Sequence, residues 1–216
     1  MTSTRLRTAA ALCAGLWCSL AARAEVNLLV NGSFERPAAC ERNCMVAGGS
    51  AAIDGWTTFL SGVEYVATRG YGTGAAPDGE MAVDLANFVY PQGGGIQQSF
   101  ATTAGGAYRL SFWTGNALFD GRDGTGTVRV QVAGVDTIFD TPRVSAIQGL
   151  WQQHTFNFLA TSALTELRFS NTQDPLLHYA LIDDVWVAPV PEQPTAWLIL
   201  CGLALLAQRR SRQRAA

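Results

Sequence analysis

The residues able to do chemistry in this chain are few. There are two histidines, His154 and His178, and no lysine at all; all 15 basic residues are arginines. Acid–base chemistry would therefore fall to carboxylates. Asp78 with Glu80, or Asp120 with Asp123, are the pairs that a glycoside hydrolase or lyase would need on opposite sides of a sugar. Both pairs sit in Gly-rich turns, where aspartate is ordinary turn chemistry. No Gly-x-Ser-x-Gly and no His-rich metal motif occurs. The chain is thus expected not to be an enzyme. Sugar binding needs less: an aromatic platform with polar neighbours in a groove or loop cluster. Trp113, Tyr71 and Asn116 are the candidates, with Phe119 and Tyr90 near loops as well. Cys40 and Cys44 lie in PAACERNCM. A disulfide across this short loop is the first expectation. Zinc is the rival, but two cysteines make half a site and neither histidine is near in sequence.

The elements that must position these residues are strands. Apolar residues between Asn27 and Val187 alternate or come in short runs, separated by Gly-rich turns. About ten strands at such spacing imply an all-β sandwich or jelly roll. A first strand is expected within Asn27–Glu35, with the cysteine loop after it, and a closing one over Tyr179–Val187. In Ala107–Trp113, Tyr108, Leu110 and Phe112 point one way and Arg109, Ser111 and Trp113 the other. In Trp151–Phe158, Thr155 and Asn157 face away from Phe156 and Phe158. The expected core is Phe100, Tyr108, Leu110, Phe112, Val130, Phe156, Phe158, Leu167, Phe169 and Ile182. Both histidines are expected on strand or loop surface.

The two ends read as export and sorting segments. Residues 1–24 have basic Arg5 and Arg7, an apolar run over Ala9–Ala22, and an Ala22-Arg23-Ala24 exit. That is a secretory signal peptide, cleaved between Ala24 and Glu25. Residues 189–216 hold a proline-rich acidic stretch, an apolar run over Thr195–Ala207 and a basic end of Arg209, Arg210, Arg212 and Arg214. The run is shorter than the roughly 20 residues of a stable span, which suits a temporary membrane anchor. Between the ends, residues 25–188 carry 8 arginines against 16 acids, a net charge of −8. Such a domain repels nucleic acid and anionic membrane surfaces.

Two resemblances follow from these stretches. The order of the tail is similar to the PEP-CTERM sorting signal of Gram-negative bacteria, which is recognised by exosortase, a membrane transpeptidase. The matching residues are Val190, Pro191 and Glu192; Gln193 displaces the second proline to Pro194. The phrases NLLVNGSFE, GWTTF, APDGEMAVDL, GGGIQQSF, WQQHTFNF and LIDDVWV, in that order, resemble bacterial choice-of-anchor C domains and, through them, plant cell-wall galactose-binding-like proteins. The resemblance implies a galactose-binding-like β-sandwich over residues 25–188, located at the cell surface or outside the cell, without catalysis. It also implies a structural calcium ion joining the first and last strands. Its ligands would be Glu35, in Gly32-Ser-Phe-Glu35, and Asp183 or Asp184. The expected role is a secreted surface or matrix module that binds exopolysaccharide or cell-wall glycan; the alternative is a structural matrix protein without a small ligand.

Overall fold

The computed structural model describes residues 25–37, 40, 42–70, 73–87, 93–117, 125–143, 151–191 and 213. Eleven strands are described: β1 Asn43–Val46, β2 Thr57–Leu60, β3 Val63–Ala67, β4 Met81–Asp84, β5 Gly94–Ala101, β6 Ala107–Gly115, β7 Thr127–Val132, β8 Val135–Asp140, β9 Trp151–Leu159, β10 Leu164–Asn171 and β11 Leu181–Pro189. They form two sheets, a six-stranded one in the order β1-β3-β4-β11-β6-β9 and a five-stranded one in the order β2-β5-β10-β7-β8. Every pairing is antiparallel. The fold is the all-β sandwich that the alternation implies.

The inner faces bury the expected residues. Phe100, Tyr108, Leu110, Phe112, Val130, Phe158, Leu167, Phe169 and Ile182 are all buried, and Phe156 packs against them half-buried. Rings bind the two sheets together. Trp56 lies 5.2 Å from Phe34 and 6.4 Å from Phe169, and Phe112 lies 5.1 Å from Phe169 and 5.2 Å from Phe139. Each such side chain contributes roughly 1.5–3 kcal/mol on burial.

Three expectations are corrected. Residues 27–35 form bends rather than a strand, because side chains take over the ladder: Asn27 accepts the Val187 amide at 2.9 Å and donates to the Val185 carbonyl at 2.9 Å. The Leu28 amide reaches the Val187 carbonyl at 2.8 Å. The cysteine loop runs directly into an edge strand, β1. The closing strand starts at Leu181, two residues later than its apolar run suggests.

His154 is a further correction: it faces the core rather than solvent. Its ring lies 5.3 Å from Phe112 and 4.8 Å from Phe139, with Nε2 2.9 Å from the Thr114 hydroxyl. Burial pushes its pKa below the ordinary value, while Asp140 pulls weakly the other way. The fold therefore favours neutral His154, whereas the unfolded chain takes up a proton near pH 6.5. Below that pH the unfolded state binds more protons, so this contribution is present at neutral pH and lost as pH falls. Wild type is expected to be more stable than His154→Gln at pH 7, with the gap in melting temperature narrowing at pH 5. A gap independent of pH would contradict this.

Candidate functional site

The outer face of the six-stranded sheet carries the aromatic residues. Trp113 on β6 points outward, as its alternation with the buried Phe112 requires. Trp186 on β11 stands opposite Ser111, two residues before Trp113, and Trp151 on β9 stands opposite Gly115, two residues after it. Directly paired residues share a face, and diagonal neighbours lie about 7–8 Å apart. Trp186, Trp113 and Trp151 thus run in one diagonal line across three adjacent strands. All three are half-buried, each leaving part of its ring at the surface. Gly115 leaves room for this arrangement: a Cβ there would meet the Trp151 ring at 2.5 Å. Exposed polar side chains, Gln153, Thr155 and Asn157, border the line on β9.

The other half of the same face is closed. Val66, Ala82, Leu181, Ala117 and Tyr179 form a second buried cluster there, with Trp151 packed at its margin. Glu64 and Asp84 stand directly opposite each other on β3 and β4 and are also fully buried. Asp84 accepts the Ala86 amide at 2.9 Å and the Ala180 amide at 3.2 Å, and Glu64 accepts from the Asn43 side-chain amide. These carboxyls hold loops and the edge strand in place.

A β-bulge shapes the end of the line at Trp186. Regular pairing would set one residue between Asp183 and Trp186 opposite Phe112; there are two. Asp184 is the residue taken up, with φ at +45°. The alternation survives, so Val185 and Val187 stay in the core and Trp186 stays outside. Beside Trp186 lies a cavity of about 350 Å³ whose lining includes Asn27, Asn31, Glu35, Arg36, Asp78 and Asp184.

The structure brings the acids singled out in the sequence to this cavity and gives two of them backbone work. Glu35 Oε1 accepts the amides of Glu80 at 2.9 Å and Met81 at 2.7 Å. Buried Asp183 accepts the amides of Asp78 at 3.1 Å and Asp184 at 2.6 Å. Both thus clamp the turn before β4. Burial pushes the Asp183 pKa up to about 8, against the pull of those two amides. Asp184 is also raised, by burial and then by the Asp78 charge, while the Trp113 side chain lowers it. Among the described residues no three His, Cys, Asp or Glu side chains group closely enough to hold a metal. A calcium ion here would need backbone carbonyls and water beside its carboxylates.

The remaining sequence candidates scatter. Asn116 is corrected: it is fully buried, donating to the Pro142 carbonyl at 3.3 Å and accepting the Ala117 amide at 2.8 Å, so it shapes a loop and offers no surface. Tyr71, Tyr90, Phe119, Asp120 and Asp123 lie outside the described residues, as do Ala24, Glu192, Pro194 and the apolar run of the tail. Glu25, Val190 and Pro191 are described at the ends of the domain. Among the described residues no helix is long and apolar enough to cross a membrane. Asp78 turns into the cavity, whereas Glu80 is exposed and pairs with Arg69. His178 sits in the turn before β11, its amide 3.3 Å from the Asp174 carbonyl. Cys40 and Cys44 form the disulfide, with Cα atoms 5.9 Å apart. Sequence reasoning missed Trp151 and Trp186, although both fall on the polar phase of their strands.

Solved structures of similar fold include TmCBM61 in complex with beta-1,4-galactotriose, at 18% identity and a TM-score of 0.48 over 76% of this chain and 99% of that one. The CBM22-1 xylan-binding domain from Paenibacillus barcinonensis Xyn10C follows at 14% identity and 0.43, over 80% and 100%. A family 35 carbohydrate binding module from Clostridium thermocellum gives 16% and 0.41, over 67% and 96%. All three are distant. No curated protein matches the chain. A family model described as "Protein of unknown function (DUF642)" matches residues 27–188, and the chain belongs to that family.

Proposed function

We propose that this protein is a non-catalytic module that binds glycan on the outer face of its six-stranded sheet. The observation that carries this reading is the line of partly exposed tryptophans, Trp186, Trp113 and Trp151, on three neighbouring strands. Indole faces stack on the apolar faces of sugar rings, and the bordering Gln153, Thr155 and Asn157 supply hydrogen bonds. The scarcity of acid–base groups in the sequence supports a binding role. Export by the signal peptide, transient anchoring by residues 189–216 and processing by exosortase at the cell surface belong to the same proposal. They rest on the order of segments at the two ends and on the disulfide, which suits an oxidising compartment. Immobilised polysaccharides should retain the purified protein, and free glycan should release it. A folded protein that passes every such column unretarded would leave the structural-matrix alternative.

A structural calcium ion is part of the proposal, supported by Glu35, Asp78 and Asp184 lining one cavity. Glu35 and Asp183 clamp the adjoining turn. Calcium is expected to raise the melting temperature and chelator to lower it. Asp184→Asn, which suits the positive φ equally well, should abolish the response. A wild-type melting curve unmoved by either treatment would remove calcium from the account.

A further inference from the structure

We infer that the tryptophan line reads a linear glycan without carboxylates, lengthwise, over a run of at least three sugars. This rests on the glycan reading above and deepens it. The geometry gives the length. Trp186, Trp113 and Trp151 stand level with Ser111, Trp113 and Gly115 along β6, one on each of three adjacent strands. Two diagonal steps of about 7–8 Å set the end positions of the line about 15 Å apart, a span longer than one or two pyranose rings. The line also has direction. It ends at the free edge of the sheet on β9 and at the cavity beside Trp186. Among the described residues no second aromatic line crosses it on this face, whose other half is closed by the cluster around Tyr179 and Leu181. One extended chain fits this line better than a branched cluster.

The charge gives the class. Glu35, Asp78 and Asp184 surround the end at Trp186 against a single Arg36. Arg109, further along β6, has Glu25 at 4.0 Å. On the strip itself, β9 contributes uncharged Gln153, Thr155 and Asn157, and β6 contributes Ser111. A uronic acid polymer would bring one negative charge per sugar to the acidic end, and the arginine that β6, β9 and β11 carry, Arg109, already has Glu25 beside it. Neutral sugars meet no such penalty.

The test is calorimetric titration of the protein with β-1,4-linked galactose, xylose and glucose ladders, from one to six sugars, beside oligogalacturonate and alginate fragments. Affinity for at least one neutral ladder should rise ten-fold or more between one and four sugars and then level off, with the acidic fragments at least ten-fold weaker. Trp151→Ala should lower hexasaccharide affinity about ten-fold and bring forward the levelling-off. Trp151→Phe, which keeps a ring, should restore most of it and so separates a lost platform from a misfolded one. A monosaccharide bound as tightly as the hexasaccharide, or tighter binding of the acidic fragments, would overturn the inference while leaving glycan binding in place. Absence of binding to every ladder and fragment by a folded protein would overturn both.

Discussion

Trp56→Ala is expected to destabilise the protein by about 3–5 kcal/mol, the range for truncating a buried tryptophan. Trp56 is only 1% exposed and precedes β2. Its ring joins Phe34, from the turn that follows the first segment, to Phe169 in the middle of β10. Its indole N–H donates to the Asn31 carbonyl at 3.0 Å. Truncation therefore opens a cavity between the sheets and removes a buried hydrogen bond in the same event. Melting temperature should fall by about 10 °C or more for a domain of this size. Trp56→Phe separates the two effects. It keeps most of the packing and loses only the indole hydrogen bond, since the Asn31 carbonyl still accepts the Phe34 amide at 3.1 Å, a loss of about 0.5–1.5 kcal/mol. Denaturant unfolding of the three proteins checks the order; equal midpoints would show that Trp56 does not join the sheets as described.

Gly32→Ala should have the next largest effect. A Cβ at Gly32 would lie 2.0 Å from the Val185 carbonyl oxygen. The obstacle is backbone, so neither side can turn away. The Gly32 carbonyl also accepts the Val185 amide at 2.9 Å. An added methyl must push the first segment off the last strand and break that bond. Overpacking of this kind costs about 1–3 kcal/mol, and here the upper end applies. Gly32 itself lines the cavity, with Asn31 and Glu35, so a calcium response should weaken in the same variant. Gly70→Ala is the control, since a Cβ there meets nothing within 4 Å. Equal melting temperatures for the two variants would contradict the close contact.

The sandwich was legible because burial imposes a period of two on each strand. Nearly every residue assigned to the core from Tyr108-x-Leu110-x-Phe112 and Phe156-x-Phe158 does face inward. Local pattern fails where side chains replace backbone pairing. Residues 27–35 look like a strand, yet Asn27 pairs with β11 through its side-chain amide. The acids at Glu35, Asp183 and Asp184 were found, but their partners were not. The amides of Asp78, Glu80 and Met81 come from a turn more than forty residues away from Glu35 and about a hundred from Asp183 in sequence. The tryptophan line lies between these cases. Each member could be placed outward from its own strand, and Trp186 even shows the extra residue: Ile182 and Val185 are both inward, three apart, which strict alternation forbids. Only the register between strands turns three separate outward residues into one platform, and register is a long-range property. His154 and Asn116 misled for a related reason. Polar residues are buried when a neighbouring element supplies their hydrogen bonds, here Thr114 and Pro142.

The central claim is that the outer face of the six-stranded sheet binds glycan through its tryptophans. Titration of wild type and Trp113→Ala with the same soluble neutral polysaccharide, alongside their melting temperatures, addresses it most directly. Trp113 is half-buried at the middle of the line, on the face away from the core, so its loss interrupts the platform while leaving the core residues in place. The account predicts saturable binding by wild type and at least ten-fold weaker binding by Trp113→Ala, with both proteins folded and melting cooperatively. Equal affinity in the two folded proteins would place binding elsewhere on the molecule and contradict the account.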